Sequence, residues 1–220
     1  MSGIRARLKL VDRGIFFSMR GWITIVGIGV GAVAFGDRVI DVPIGRSLRM
    51  GTFQISDMEG MNQSGSRDRY FAYAPLVGLE FAVRERMRPG ELGRATLDFS
   101  YNFIAPVAAL SPGISVGILD GLNETVDGRR SYVAFTFREL LDVGNKGANG
   151  EVTMGVQFGH LNTGFVGVSL PLSNNLRLLA EHNGVRISTG FELGIDKSIR
   201  ARLITQDGTL LLGLNLSHRF

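Results

Sequence analysis

The sequence predicts an all-β fold: one antiparallel, up-and-down transmembrane β-barrel of about twelve strands, with ten as the alternative count. Three observations predict it. Runs in which apolar and polar residues alternate with period 2 recur from about residue 47 to residue 220, the pattern of strands with one apolar face. The runs follow one another too closely for a crossover helix to fit between them, so sequential hairpins are the economical connection. The apolar faces carry almost no charge while the opposite faces carry Arg and Glu, as expected where an outward Arg at mid-bilayer costs about 2–4 kcal/mol. A secreted soluble barrel or sandwich shares the alternation and stays open as the other architecture.

Composition narrows the class further. The chain has 220 residues, 45% hydrophobic and 20% charged, with 30 glycines and no cysteine. That length suits one domain, and abundant glycine suits short strands and turns. Without cysteine there is no disulfide scaffold, thiolate metal site or thiol nucleophile. The formal charge of +4 belongs to the N-terminus, where Arg5, Arg7, Lys9, Arg13 and Arg20 face only Asp12. The rest is close to neutral, so no basic patch points to nucleic acid.

The first element is a leader. Trp22 to Phe35 is an uncharged apolar run preceded by basic residues, and it ends in Ala32-Val33-Ala34. The run is shorter than the ~20 residues of a spanning helix, and its small-x-small ending matches a signal-peptidase site. Residues 1–34 are therefore read as a signal peptide, with Met19 as an alternative start, and residues 35–220 as the barrel. A retained anchor helix is the competing reading.

The strands follow in order. Ser47 to Met58 is extended but poorly patterned, and Glu59 to Arg69 is a polar loop rich in turn residues. From Tyr70 to Arg86 one long run sets Phe71, Tyr73, Val77, Leu79, Phe81 and Val83 against Gly78, Glu80, Ala82 and Arg84. Arg88-Pro89-Gly90 reverses the chain, and Arg94 to Phe103 alternates without an error, from Ala95 to Phe103 on one face and Arg94 to Asn102 on the other. Ile114 to Ile118, Arg130 to Arg138 and Glu151 to Phe158 repeat the pattern, with Asp127-Gly128 as a turn and Asp142 to Gly150 as a polar loop. Gly164 to Leu172, Asn175 to Glu181, Val185 to Leu193 and Ile199 to Gln206 complete the middle, joined in part by the turn signals Asn162-Thr163-Gly164 and Asn183-Gly184. Asp207-Gly208 leads into the last strand. These make about eleven runs. Bacterial barrels of this kind have an even strand count, so a twelfth strand is expected near Asp37 to Gly45.

The last strand sets Leu210, Leu212, Leu214, Leu216, His218 and Phe220 against Thr209, Leu211, Gly213, Asn215, Ser217 and Arg219. An alternating strand closing on an aromatic resembles the C-terminal strand of Gram-negative outer-membrane barrels. That resemblance implies a cell outer-membrane location, contact with outer-membrane lipid, and Phe220 as the signal read by the barrel-assembly machinery.

Candidate chemistry is sparse. His160, His182 and His218 have no metal-ligand spacing, so no metal, cofactor or catalytic residue is assigned. Glu181 and His182 are adjacent, which raises a barrel-embedded hydrolase as an alternative, yet strand neighbours point to opposite faces. The inward set is Arg177, Glu181, Arg186, Glu192, Arg200, Arg202 and Arg219. It reads either as a salt-bridged interior or as a constriction whose excess of Arg favours small anionic solutes; a barrel of ten to twelve strands has only a small lumen.

Leu178-Leu-Ala-Glu-His-Asn-Gly-Val-Arg-Ile-Ser-Thr-Gly190, together with Pro112 to Gly117 and Tyr132 to Phe135, resembles the strand pattern of the YjbH-type outer-membrane proteins that accompany exopolysaccharide production. The resemblance implies a porin-like channel or an accessory to polysaccharide export. A plugged structural or adhesive barrel remains the alternative.

Overall fold

The computed structural model describes residues 38–89, 93–107, 111–141, 148–160 and 162–220. The predicted signal segment 1–34 lies outside the described residues. Twelve strands follow in order: β1 (Thr52–Gly60), β2 (Arg67–Leu76), β3 (Leu79–Met87), β4 (Arg94–Ile104), β5 (Gly113–Leu119) and β6 (Arg130–Leu141), then β7 (Ala148–Gly159), β8 (Thr163–Pro171), β9 (Leu176–His182), β10 (Ile187–Gly194), β11 (Ile199–Gln206) and β12 (Thr209–Arg219). Each pairs antiparallel with the next, and β12 pairs with β1 to close the ring. This is the predicted fold class: a closed, twelve-stranded, up-and-down barrel. Thr52 faces Arg219, so the start of β1 and the end of β12 share one rim, here called the near rim. The loops after β1, β3, β5, β7, β9 and β11 form the far rim.

The barrel is inside-out relative to a soluble protein. Outward residues Phe99, Val156 and Leu214 expose 38%, 42% and 49% of their surface, whereas inward Glu80, Asp68 and Thr136 expose 1%, 2% and 0%. Charge on the outer wall gathers towards the far rim of β1 to β3. There Asp57 meets Arg67 at 2.7 Å and Arg69 at 3.7 Å, and Arg69 meets Glu85 at 3.3 Å.

Three expectations are corrected. The long run Tyr70 to Arg86 is two strands, β2 and β3, joined through Val77 and Gly78, whose φ of 79° favours glycine. A two-residue turn should invert the alternation. Tyr73 pairs with Phe81 but Leu76 with Leu79, so an irregularity between Tyr73 and Leu76 inserts one extra residue and restores the parity. The twelfth strand therefore comes from this split and not from Asp37 to Gly45. Of that stretch, the described residues from Arg38 lie in no strand; they fold back through a bridge between Arg38 and Pro43, and the chain is largely buried as far as Leu48. Finally, β7 begins at Ala148, inside the loop expected over Asp142 to Gly150.

Candidate functional site

The candidate site is the lumen, and its central feature is the chain's own segment 38–49. Val39, Ile40 and Ile44 pack with Met58, Leu179, Ile204 and Leu211 on one wall. Val42 packs with Leu119, Tyr132, Ala134 and Phe165, and Leu48 with Tyr70, Ala72, Ala74 and Ala82. The segment thus joins each of the buried apolar clusters, and each such side chain contributes about 1.5–3 kcal/mol relative to exposure.

Polar contacts fix the height of the segment. At its tip the backbone N–H groups of Ile40, Asp41 and Val42 donate to the Glu181 carboxylate at 2.9, 2.8 and 2.9 Å. Such a concave run of N–H groups is suited to an anion. The Asp41 carboxylate accepts from Arg86 at 2.6 Å and Gln206 at 2.6 Å, and also pairs with Arg84. Arg84 and Arg86 in turn share Asp68. Below the tip, the Ser115 hydroxyl donates to the Ile44 carbonyl at 2.9 Å, the Asn102 amide to the Gly45 carbonyl at 2.7 Å, and the Leu48 N–H to Glu80 at 3.0 Å. Gly45 and Gly113 touch backbone to backbone: a Cβ on Gly45 would stand 2.4 Å from the Gly113 carbonyl oxygen, and one on Gly113 2.1 Å from that of Gly45.

A ring of charge packs around the segment on the near-rim side. Arg46 meets Glu151 at 3.1 Å, Arg138 meets Glu151 at 3.3 Å, and Glu192 holds Arg200 at 3.0 Å and Arg202 at 2.7 Å. Arg177 donates to the Ser169 hydroxyl and the Asn149 carbonyl, both at 3.0 Å. The void here is only about 20 Å³, little more than one water needs.

Towards the far rim the lumen opens into a cavity of about 460 Å³, floored by Arg38, Asp41, Val42 and Pro43. In the β5–β6 loop beside it, burial pushes the Asp120 carboxyl up. Hydrogen bonds from the Thr125 hydroxyl and the Glu124 and Thr125 N–H groups outweigh that and hold it below the usual carboxylate range.

The structure divides the predicted inward set. Glu192, Arg200, Arg202 and Arg177 share the near-rim ring, whereas Glu181 grips the segment tip. Arg186 lies in the β9–β10 loop, 3.1 Å from Asp207, and Arg219 keeps the inward parity at the near rim but is exposed. Phe220 packs outside against Phe53 in a tilted contact and edge-on against His218, at ring separations of 5.6 and 5.3 Å. Glu181 faces inward while His182 is exposed, so the two form no acid–base pair. Among the described residues no His/Asp/Glu group is arranged to hold a metal ion. Sequence reasoning missed Arg38, Asp41, Arg46, Asp68, Arg84, Arg86 and Glu151 as site residues; the inward parity of Asp68, Arg84, Arg86 and Glu151 was the available signal, and segment 38–49 carried none.

No protein-family model matches the chain and no curated protein is recognisably similar to it.

Proposed function

We propose that the chain is an outer-membrane barrel closed at rest by its own segment 38–49, a membrane-seated accessory and not a freely open pore. The observation that carries the membrane reading is the inside-out wall. A ring of exposed Phe, Leu, Ile and Val surrounds a polar interior, which water would not favour and hydrocarbon demands. The closed resting state is supported by the packing of segment 38–49 against the inner wall and by the small void left beside it on the near-rim side.

On the resemblance of Leu178 to Gly190, the process served is polysaccharide export. That stretch contains Glu181 and Asn183, whose carboxylate and side-chain amide reach the tip of the segment. Fractionation tests the location: the folded protein is expected in the outer-membrane fraction, resistant to alkaline extraction and shifting its gel mobility only after boiling. Recovery as a soluble periplasmic protein would contradict the proposal. Removal of the protein from its cell is expected to lower surface polysaccharide, and an unchanged amount would overturn the export role alone.

A further inference from the structure

The far-rim cavity is the least explained part of the molecule, since closing the barrel does not require an arginine-rich pocket above the plug. Its lining includes seven arginines and four aspartates. Most of the arginines are already matched: Arg38 pairs with Asp98 at 2.6 Å, Arg88 and Arg186 share Asp207 at 3.2 and 3.1 Å, and Arg84 and Arg86 share Asp41 and Asp68. Arg94 and Arg130 are different. Among the described residues neither has a carboxylate within ion-pair distance. Arg94 donates to the Glu124 carbonyl at 2.7 Å and Arg130 to the Gln157 side-chain oxygen at 3.1 Å, and the Arg130 Nε is buried with no acceptor. Asp120, also on the lining, is engaged by its own loop through Glu124 and Thr125. Asp127 acts on Arg130 through its charge, as do Asp41 and Asp98 more weakly, but none of the three reaches ion-pair distance of Arg130.

The geometry points to a binding site for a small organic anion, carboxylate- or phosphate-bearing, held by Arg94 and Arg130 in this cavity. Guanidinium groups match both oxyanions in fork geometry, and a volume of about 460 Å³ lies in the range of small-molecule sites, about 300–1,000 Å³. The wall offers the mixed chemistry such a ligand needs: the Thr96 and Thr125 hydroxyls to accept from ligand hydroxyls, with Val42, Leu119 and Phe165 as the apolar side. The floor already shows the wall's competence, because Asp41 of the inner segment presents a carboxylate to Arg84, Arg86 and Gln206. A ligand bound to Arg94 and Arg130 would share the cavity that this tip floors. The site is independent of the membrane proposal, since binding can be read on the detergent-folded barrel.

The test is calorimetric titration of the detergent-folded full chain with inorganic phosphate, glucuronate and neutral glucose. Arg94→Gln, Arg130→Gln and the outer-wall control Arg69→Gln are titrated alongside, and heat-modifiable migration certifies the fold of each. The wild type is expected to bind an anion and not glucose. Each cavity variant is expected to lose about tenfold or more in affinity, the worth of one charge-assisted hydrogen bond, while Arg69→Gln binds as the wild type does. Tighter binding of glucuronate identifies the ligand as a carboxylate, and tighter binding of phosphate as a phosphoryl group. Absence of anion binding to the wild type, glucose binding as tight as either anion, or unchanged affinity in both folded cavity variants would overturn the site.

Discussion

At the residue scale, Glu181 does what a buried carboxylate must: it finds donors for its charge, and it finds them on the backbone of a segment some 140 positions earlier. Replacing it with Ala leaves three buried N–H groups without an acceptor, so Glu181→Ala is expected to destabilise the fold by about 3 kcal/mol and Glu181→Gln by about 1 kcal/mol. The temperature at which folded gel migration is lost measures both. The same assay separates ion pairs by burial. Arg84→Met breaks the contacts to Asp41 and Asp68 and is expected to cost about 3–5 kcal/mol, whereas Arg67→Met removes an exposed pair with Asp57 worth at most about 1 kcal/mol. Equal effects would contradict the assignment. The inward direction of Glu181 was legible from strand parity. Its partners were not, because a contact between Glu181 and the N–H groups of residues 40–42 leaves no mark on the side chains of those residues.

At the element scale, the informative elements are the inner segment and the β2–β3 hairpin. Gly45 and Gly113 permit a backbone contact that no Cβ could share. Gly113→Ala and Gly45→Ala are therefore each expected to loosen the segment, read as faster protease cleavage within residues 38–49 while the barrel still migrates as folded; protection equal to wild type in both would contradict the packing. Most strands were legible because one face is apolar and the other polar. The hairpin was not, since the extra residue between Tyr73 and Leu76 hides the turn at Gly78 from a period-2 reading. The inner segment was misread as a strand because Val39, Ile40, Val42 and Ile44 supply the apolar content of one. Pro43 and the fold-back from Arg38 deny it a ladder.

At the scale of the whole molecule, closure and polarity act together. Pairing of β12 with β1 leaves no strand edge, and the apolar surface faces outward around the ring. An arginine at the centre of that surface tests what surrounds it. Phe99→Arg is expected to cost about 2–4 kcal/mol in lipid vesicles, read from urea-induced unfolding, while a soluble barrel would tolerate it. The closed ring was readable from the spacing of the runs; the filled lumen was not, because a sequence read strand by strand has no position for a chain that passes inside its own barrel.

The most direct test is the current through planar bilayers carrying the folded protein, wild type beside Glu181→Ala and Gly113→Ala. A silent wild type is expected, with ion conductance in the variants, where the anchor of segment 38–49 is broken or its seat against the wall removed. A wild type that conducts steadily, at a level the two substitutions leave unchanged, would contradict closure by that segment.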